Sequence, residues 1–176
     1  MIKKILVIGS GGAGKSTFAK RLGKRLNINV IHLDTLFGKP GWVEPPKDEW
    51  ATTVETLLRG DAWIMDGNYS GTLERRLAAC DAVVFLDLPP RICVWRVLKR
   101  LVRYRNRTRP DMADGCREHF NLQFLLWVWS YRNSTRPKIV RLLKQSEVQV
   151  IWLQSSDKIE RYLRAPETTT MTKWED

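Results

Sequence analysis

Cysteine, histidine and long apolar runs are all scarce in this sequence of 176 residues. The three cysteines, Cys80, Cys93 and Cys116, form no CxxC pair, which argues against a disulfide scaffold and against a cysteine-based zinc site. Such cysteine usage is typical of a protein of the reducing cytoplasm. The longest apolar run, Phe124–Trp129, is about a third of what a membrane helix needs, and the first residues lack the apolar region of a signal peptide. We therefore expect a cytoplasmic protein with no membrane partner.

Acidic residues are also few relative to basic ones. The chain has 19 Asp and Glu and 30 Lys and Arg, which gives a formal net charge of +11. Thirteen of the basic residues and only three of the acidic ones lie between Arg91 and Arg141, so this segment carries +10 and the rest of the chain +1. A basic segment of this kind favours polyanions, which are either the phosphates of a nucleotide or the backbone of a nucleic acid.

Short apolar runs alternate along the chain with segments of helical periodicity. The apolar runs predict strands at residues 2–8, 29–33, 62–65, 81–88 and 148–153. The periodic segments predict helices at residues 16–26, 48–59, 70–79, 91–104, 118–143 (with a break near Pro137) and 156–163. Nearly all-apolar strands between helices are typical of a parallel sheet that is covered on both faces. We therefore predict one α/β domain over residues 1–164, followed by a flexible tail at residues 165–176.

One motif points directly to phosphate chemistry. Residues 9–16 read Gly-Ser-Gly-Gly-Ala-Gly-Lys-Ser, which matches GxxxxGK(S/T) in full, and they lie between the first predicted strand and the first helix. In such a loop the backbone N–H groups converge on phosphate oxygens, Lys15 reaches the β- and γ-phosphates, and the Ser16 hydroxyl binds Mg²⁺. We predict that a nucleoside triphosphate and Mg²⁺ bind here, through Gly9, Gly11, Gly12, Ala13, Gly14, Lys15, Ser16 and Thr17.

The P-loop near the N-terminus, the short chain and the late Arg-rich segment resemble the P-loop small-molecule kinases of the adenylate, shikimate and gluconate kinase type. More narrowly, five motifs resemble the bacterial DNA topology modulation (FlaR-like) proteins over most of residues 1–145: His32-Leu-Asp34, Lys39-Pro-Gly-Trp42, Asp66-Gly-Asn-Tyr-Ser70, Phe85-Leu-Asp-Leu-Pro89 and Tyr104–Met112. The resemblance implies a three-layer P-loop NTPase fold with a five-stranded parallel sheet in the order 2-3-1-4-5. It also implies ATP as the nucleotide, an acceptor-side loop at residues 35–47 and an Arg-rich helical lid at residues 99–118.

Two aspartates follow predicted strands and gain roles from the resemblance. Asp66 is similar to the acid that works near Mg²⁺ in adenylate kinases. The alternative interpretation is that Asp66 is a turn residue or a helix cap. Asp34 is similar to the acid by which shikimate-type kinases hold Mg²⁺ or the acceptor hydroxyl, whereas the alternative is again a helix cap. Ser70 stands where adenylate kinases have an acceptor-binding arginine, so the resemblance does not extend to adenylate as the acceptor. The predicted acceptor-binding residues are Asp34, Trp42, Gly67, Asn68 and Arg75.

Arginines of the basic segment are similar to the lid arginines of these kinases. Arg100 and Arg103 are predicted to contact the phosphates and to neutralise charge that develops on the transferred group. Arg132 and Arg136 are positioned like the second arginine pair of adenylate-type kinases. For each arginine taken alone, the alternative is a solvated basic face. His32 and Asp87 are interpreted as structural residues. The predicted catalytic set is therefore Lys15, Asp34, Asp66, Arg100, Arg132 and Arg136.

Two functions fit these observations. The first is Mg²⁺-dependent transfer of the γ-phosphate of ATP to a small-molecule acceptor, by a monomer or a homodimer. The second is ATP-dependent nucleic-acid binding that affects DNA topology, in which residues 91–141 contact the phosphate backbone and interleaved aromatic rings stack on bases. Helical spacing places many of those rings in the core, and the chain carries no helix-turn-helix or RNA-binding signature. The sequence therefore favours the phosphotransferase.

Overall fold

Five parallel strands form one sheet in the order β2-β3-β1-β4-β5, in a computed structural model that describes residues 2–37, 44–104 and 119–165. The strands are β1 Lys4–Gly9, β2 Val30–His32, β3 Trp63–Asp66, β4 Ala82–Leu86 and β5 Gln149–Leu153. The predicted fold class and strand order are confirmed. Every strand is short and mostly apolar, as a parallel sheet that is buried on both faces requires.

Eight helices connect and cover the strands within the described part of the chain. They are α1 Lys15–Leu26, α2 Leu33–Phe37, α3 Lys47–Leu58, α4 Ser70–Ala79, α5 Pro90–Arg103, α6 Leu122–Ser134, α7 Arg136–Gln145 and α8 Ser156–Arg164. No helix of the described residues is both long enough and apolar enough to cross a membrane.

The long helix that was predicted for residues 118–143 is two helices in the structure. α6 ends at Ser134 and α7 begins at Arg136, with Pro137 in the first turn of α7. A proline lacks the N–H that a helix interior needs, but the first turn leaves its N–H groups without helical partners anyway. The predicted break near Pro137 is therefore found just before this residue.

The sheet divides the core into two layers because alternate residues of each strand point to opposite faces. On β1, Ile5 and Val7 pack with α1 and α8 on one face, whereas Leu6 and Ile8 pack with α3, α4 and α7 on the other. Helices therefore cover both faces, and the three-layer architecture is confirmed.

The parallel register brings the carboxyl ends of β1, β2 and β3 together at one edge of the sheet. Asp66, the last residue of β3, pairs with His32 of β2 on one side and with Val7 of β1 on the other. The loop after β1, which contains the GxxxxGK(S/T) motif, and the turn after β3 consequently start side by side. Ligands of open α/β sheets bind at this edge.

A fully buried arginine shapes the turn after β3. Arg76 of α4 is 0% exposed, and its guanidinium donates to the carbonyl oxygens of Gly67 (2.8 Å), Asn68 and Tyr69 (3.0 Å). Burial lowers the pKa of Arg76 to about 10. These bonds hold Tyr69 in the left-handed region, at φ 32°, immediately before α4, which begins at Ser70.

Replacing Arg76 by methionine should destabilise the protein strongly, because three carbonyl groups of the turn, which are buried or partly buried, lose their donor. We expect Arg76→Met to lower the free energy of unfolding by about 3 kcal/mol or more in urea denaturation. Arg75→Met is the matched control, since the neighbouring Arg75 is exposed and pairs with Glu55 on α3. Its effect should stay below about 0.5 kcal/mol. Equal losses in the two variants would contradict this account of the turn.

Candidate functional site

The loop between β1 and α1 has the conformation and the packing that only glycine allows. Gly12 has φ 77°, and a Cβ there would lie 2.3 Å from the carbonyl oxygen of Cys93 on α5. A Cβ at Gly9 would lie 2.5 Å from the carbonyl oxygen of Leu86 on β4. The loop therefore sits directly against the neighbouring strand and helix.

The first turn of α1 has the properties of an anion site. Its N-cap is Gly14, no side chain caps it, and it contains no acidic residue. The N–H groups of this turn have no intrahelical partners, and the helix dipole makes this end positive. Lys15 adds a full charge, and its Nζ donates to the carbonyl oxygen of Ser10 at 3.1 Å, which folds the side chain back over the loop.

Arg96 of α5 is a residue at this loop to which the sequence assigned no role. Its guanidinium donates to the carbonyl oxygen of Ala13 at 3.1 Å and to the hydroxyl of Ser156 at 3.0 Å. Arg96 precedes Arg100 by one helical turn and lies on the same face of α5. The arginine of this face that bonds to the loop is therefore Arg96, whereas the sequence pointed to Arg100 and Arg103. The helical spacing of the arginines was the available signal, but it does not say which of them reaches the loop.

The aromatic face of α6 covers the same loop. A Cβ on Gly11 would lie 2.7 Å from the ring of Phe124 and 3.0 Å from Val128. The guanidinium of Arg100 lies over the Phe124 ring, 5.8 Å from its centroid, whereas that of Arg103 lies over Tyr104 at 5.5 Å. Arg100 thus lies next to the ring that packs on the loop, and Arg103 lies one turn further out.

Asp66 is a buried carboxylate with one oxygen held and one oxygen unpaired. It is 2% exposed, and its Oδ1 lies 2.9 Å from Nδ1 of His32. Its Oδ2 is buried and has no hydrogen-bond partner among the described residues. A buried carboxylate oxygen without a donor is costly, and Oδ2 is the atom of Asp66 that lacks a partner among the described residues. Carboxylate and hydroxyl oxygens, as on Asp66 and Ser16, are the donors that Mg²⁺ prefers.

The turn after β3 connects this acid with both sides of the site. The Oδ1 atom of Asn68 accepts a hydrogen bond from the backbone N–H of Gly9 at 3.0 Å. This bond connects the turn to the loop of residues 9–16, called the phosphate loop below. The Tyr69 hydroxyl donates to Oδ1 of Asp34 at 2.7 Å. Burial, and then the carboxylate of Asp34, raise the pKa of Tyr69 far above its ordinary value, so the phenol remains a donor. Asp34 lies inside α2, as its second residue, rather than before it.

Other predicted acceptor residues are engaged elsewhere or lie outside the described residues. The N–H of Gly67 donates to the carbonyl oxygen of Val7 at 3.2 Å and its own carbonyl accepts from Arg76, so both backbone groups are used. Arg75 points to Glu55 on the surface. Trp42 lies outside the described residues, as do residues 105–118 of the predicted lid.

The predicted second arginine pair is divided between two environments. Arg136 binds Asp87, which follows β4, through two bonds of 2.8 and 2.7 Å, and this hydrogen bonding raises the pKa of Arg136. The pair joins α7 to the β4 end of the sheet, in agreement with the structural interpretation of Asp87. Arg132 is exposed and lines a surface depression with Trp129 and Pro90. Asp87 itself directly follows Leu86, the β4 residue that pairs with Gly9.

Comparison with solved structures places this architecture among the P-loop kinases. A shikimate kinase from Acinetobacter baumannii in complex with shikimate gives a TM-score of 0.58 at 15% identity, over 91% of this chain and 88% of that chain. A shikimate kinase from Bacteroides thetaiotaomicron gives 0.54 at 16% identity, over 93% and 95%. The deoxyadenosine kinase from M. mycoides with bound dATP gives 0.51 at 12% identity, over 89% and 95%.

The chain therefore shares the fold of these kinases. No family model and no curated protein matches it. The narrower resemblance to the DNA topology modulation proteins and the nucleic-acid alternative gain no support from these comparisons, and both stay predictions.

A methyl group on Gly12 should disrupt the phosphate loop. The left-handed backbone and the 2.3 Å approach to the Cys93 carbonyl oxygen leave no room for it. We expect Gly12→Ala to lower the free energy of unfolding by about 2–4 kcal/mol and to weaken binding of a fluorescent ATP analogue at least tenfold.

Gly71→Ala is the control for this change, because a Cβ at Gly71 in the first turn of α4 meets nothing within 4 Å. This variant should gain about 0.4–1 kcal/mol and bind the analogue as the unchanged protein does. Wild-type stability and binding in Gly12→Ala would show that the loop in solution differs from the one described.

Proposed function

We propose that this protein transfers the γ-phosphate of ATP to a hydroxyl group of a small molecule, with Mg²⁺. One observation carries the proposal: the turn of the buried acid Asp66 is bonded, through Asn68, to the loop that presents Lys15 and the positive end of α1. An anion site and a buried carboxylate with an unpaired oxygen are thus parts of one rigid edge of the sheet. Phosphoryl transfer needs this combination of phosphate binding and charge neutralisation.

The P-loop side of the site binds the donor nucleotide. The backbone N–H groups of residues 11–16 hold the phosphate oxygens, and Lys15 exchanges its bond to the Ser10 carbonyl for the β- and γ-phosphates. Arg96 keeps the Ala13 carbonyl turned away from the phosphates by bonding to it. Arg100, beside the loop on the Phe124 ring, and the exposed Arg103 and Arg132 supply further positive charge for the transferred group.

Ser16 and Asp66 are the residues that hold the metal. Mg²⁺ keeps several water ligands and takes few from the protein, so a hydroxyl and one carboxylate suffice. The described residues contain no group of three His, Cys, Asp or Glu side chains that could cage an ion, which agrees with such an open arrangement. When bound there, Mg²⁺ would neutralise negative charge that develops on the phosphates during transfer.

The acceptor side is built around Asp34. Its carboxylate is half-buried and held by the Tyr69 hydroxyl, and it orients the acceptor hydroxyl and takes its proton. The acceptor oxygen then forms a bond to the γ-phosphorus while the bond from phosphorus to ADP breaks. Phe37 and Trp50 pack against Tyr69, with ring centroids 4.6 and 5.1 Å away, and this aromatic cluster gives the carboxylate an apolar neighbour. An organic alcohol suits such surroundings better than water does.

Removing the Lys15 ammonium should abolish turnover without unfolding the protein. We expect Lys15→Ala to lower kcat/KM for ATP at least about 100-fold, because the transferred phosphoryl group loses a preorganised positive charge. The assay measures ADP formation with a panel of sugars, other hydroxyl-bearing metabolites and nucleosides, and mass spectrometry of the phosphorylated product identifies the acceptor. Lys20→Ala, on the exposed face of α1, is the control and should stay within about twofold of the unchanged protein.

The same assay decides between the two functions inferred from the sequence. If no small molecule raises ADP formation above background while duplex DNA does, the phosphotransferase proposal is wrong and the nucleic-acid alternative is favoured. Binding to DNA should then weaken steeply with salt. Loss of activity in Lys20→Ala comparable to that in Lys15→Ala would also contradict the proposed role of the P-loop lysine.

A further inference from the structure

His32 is the one described side chain that is hydrogen-bonded to Asp66. The two residues end neighbouring parallel strands and pair in the register of β2 and β3. The imidazole Nδ1 lies 2.9 Å from Oδ1 of Asp66, and the two side chains are only 12% and 3% exposed. A pair this sheltered from water keeps its geometry, because solvent does not compete for the bond.

The chemistry of the pair determines the direction of the bond. A carboxylate that binds a metal ion only accepts, so in that state Nδ1 of His32 is the donor to Oδ1 of Asp66. This bond fixes the rotation of the carboxylate about its Cβ–Cγ bond and leaves Oδ2 as the buried oxygen without a described partner. The histidine thus determines which oxygen of Asp66 remains available to a ligand.

We propose that His32 is a positioning residue, which orients Asp66 so that Oδ2 serves the Mg²⁺ of the bound nucleotide. Groups that hydrogen-bond to metal-binding carboxylates orient them and tune their affinity, and their loss typically costs 10–100-fold in metal affinity or activity. The inference rests on the proposed function only in requiring that the site binds nucleotide with Mg²⁺. It does not depend on the identity of the acceptor.

The backbone of His32 is held independently of its ring, which makes the residue suitable for substitution. Its carbonyl oxygen accepts from the Thr35 hydroxyl at 2.7 Å, and β2 pairs with β3 through the main chain. A change of the ring therefore alters the bond to Asp66 without removing the contacts that position β2. A purely structural histidine and a positioning histidine then predict different outcomes.

Three substitutions at this position separate the donor from the bulk of the ring. Asn places an amide N–H where Nδ1 lies, whereas Gln carries its amide one carbon further, near the place of Nε2. His32→Asn therefore keeps the bond to Asp66, His32→Gln displaces it, and His32→Leu removes it. The control is His119→Asn, in the other histidine of the chain, which is exposed ahead of α6.

The measurement is binding of a fluorescent ATP analogue, first in EDTA and then in a titration with MgCl₂. We expect His32→Leu and His32→Gln to lower the apparent Mg²⁺ affinity of the nucleotide-bound protein about tenfold or more, and His32→Asn to stay within about threefold. Affinity for the metal-free analogue should not change in any of them. Asp66→Asn measures the full loss, and His119→Asn should match the unchanged protein.

Two results would overturn the proposal. One is an unchanged Mg²⁺ affinity in His32→Leu and His32→Gln, and the other is a parallel loss of metal-free nucleotide affinity, which marks a structural role. If His32→Leu does not fold, the comparison of His32→Asn with His32→Gln tests the proposal. A higher Mg²⁺ affinity in His32→Gln than in His32→Asn would reject it. Metal-dependent nucleotide binding that needs His32, without phosphoryl transfer to any acceptor, would instead reject the proposed function and leave this inference standing.

Discussion

The site depends on the buried guanidinium of Arg76 more than on any other single group. By binding three successive carbonyl groups it fixes the turn after β3, and this turn reaches both halves of the site. Asn68 bonds to Gly9 of the phosphate loop, and Tyr69 bonds to Asp34 on the acceptor side. The left-handed backbone of Tyr69 is a strained conformation for a residue with a bulky side chain, and it persists because the surrounding bonds over-determine it.

Charge is distributed unevenly around the edge of the sheet. Lys15 and Arg96 lie at the phosphate loop, whereas the carboxylates of Asp34 and Asp66 lie at the carboxyl ends of β2 and β3. Part of the positive charge of residues 91–141 also serves the fold, since Arg136 binds Asp87. The excess over what one triphosphate needs is thus partly explained by bonds within the protein, which weakens the argument for a nucleic acid as the partner.

Much of the fold could be predicted from the sequence, and so could the loop in which the proposed donor site lies. The eight residues of the phosphate loop are contiguous in the sequence, so the motif can be recognised without knowing which residues pack around it. The strand order followed from a resemblance that the structure supports. His32 was assigned only a structural role, although it ends β2 as Asp66 ends β3, and this shared position was the signal that could have paired them. Asp87 and Arg136 lie 49 positions apart, and nothing local marks them as partners.

The sequence by itself determined the α/β class, the glycine-rich loop with the GxxxxGK(S/T) motif and the segment in which positive charge collects. These properties depend on short-range periodicity, on glycine and on composition, all of which act within a few residues. Only the tertiary structure decided which side chains meet. His32 and Asp66 are 34 positions apart and Gly9 and Asn68 are 59 apart, and both contacts exist because parallel pairing of β2, β3 and β1 brings their carboxyl ends to one edge. Such register is a property of the whole core, since it is set by the faces that the strands bury.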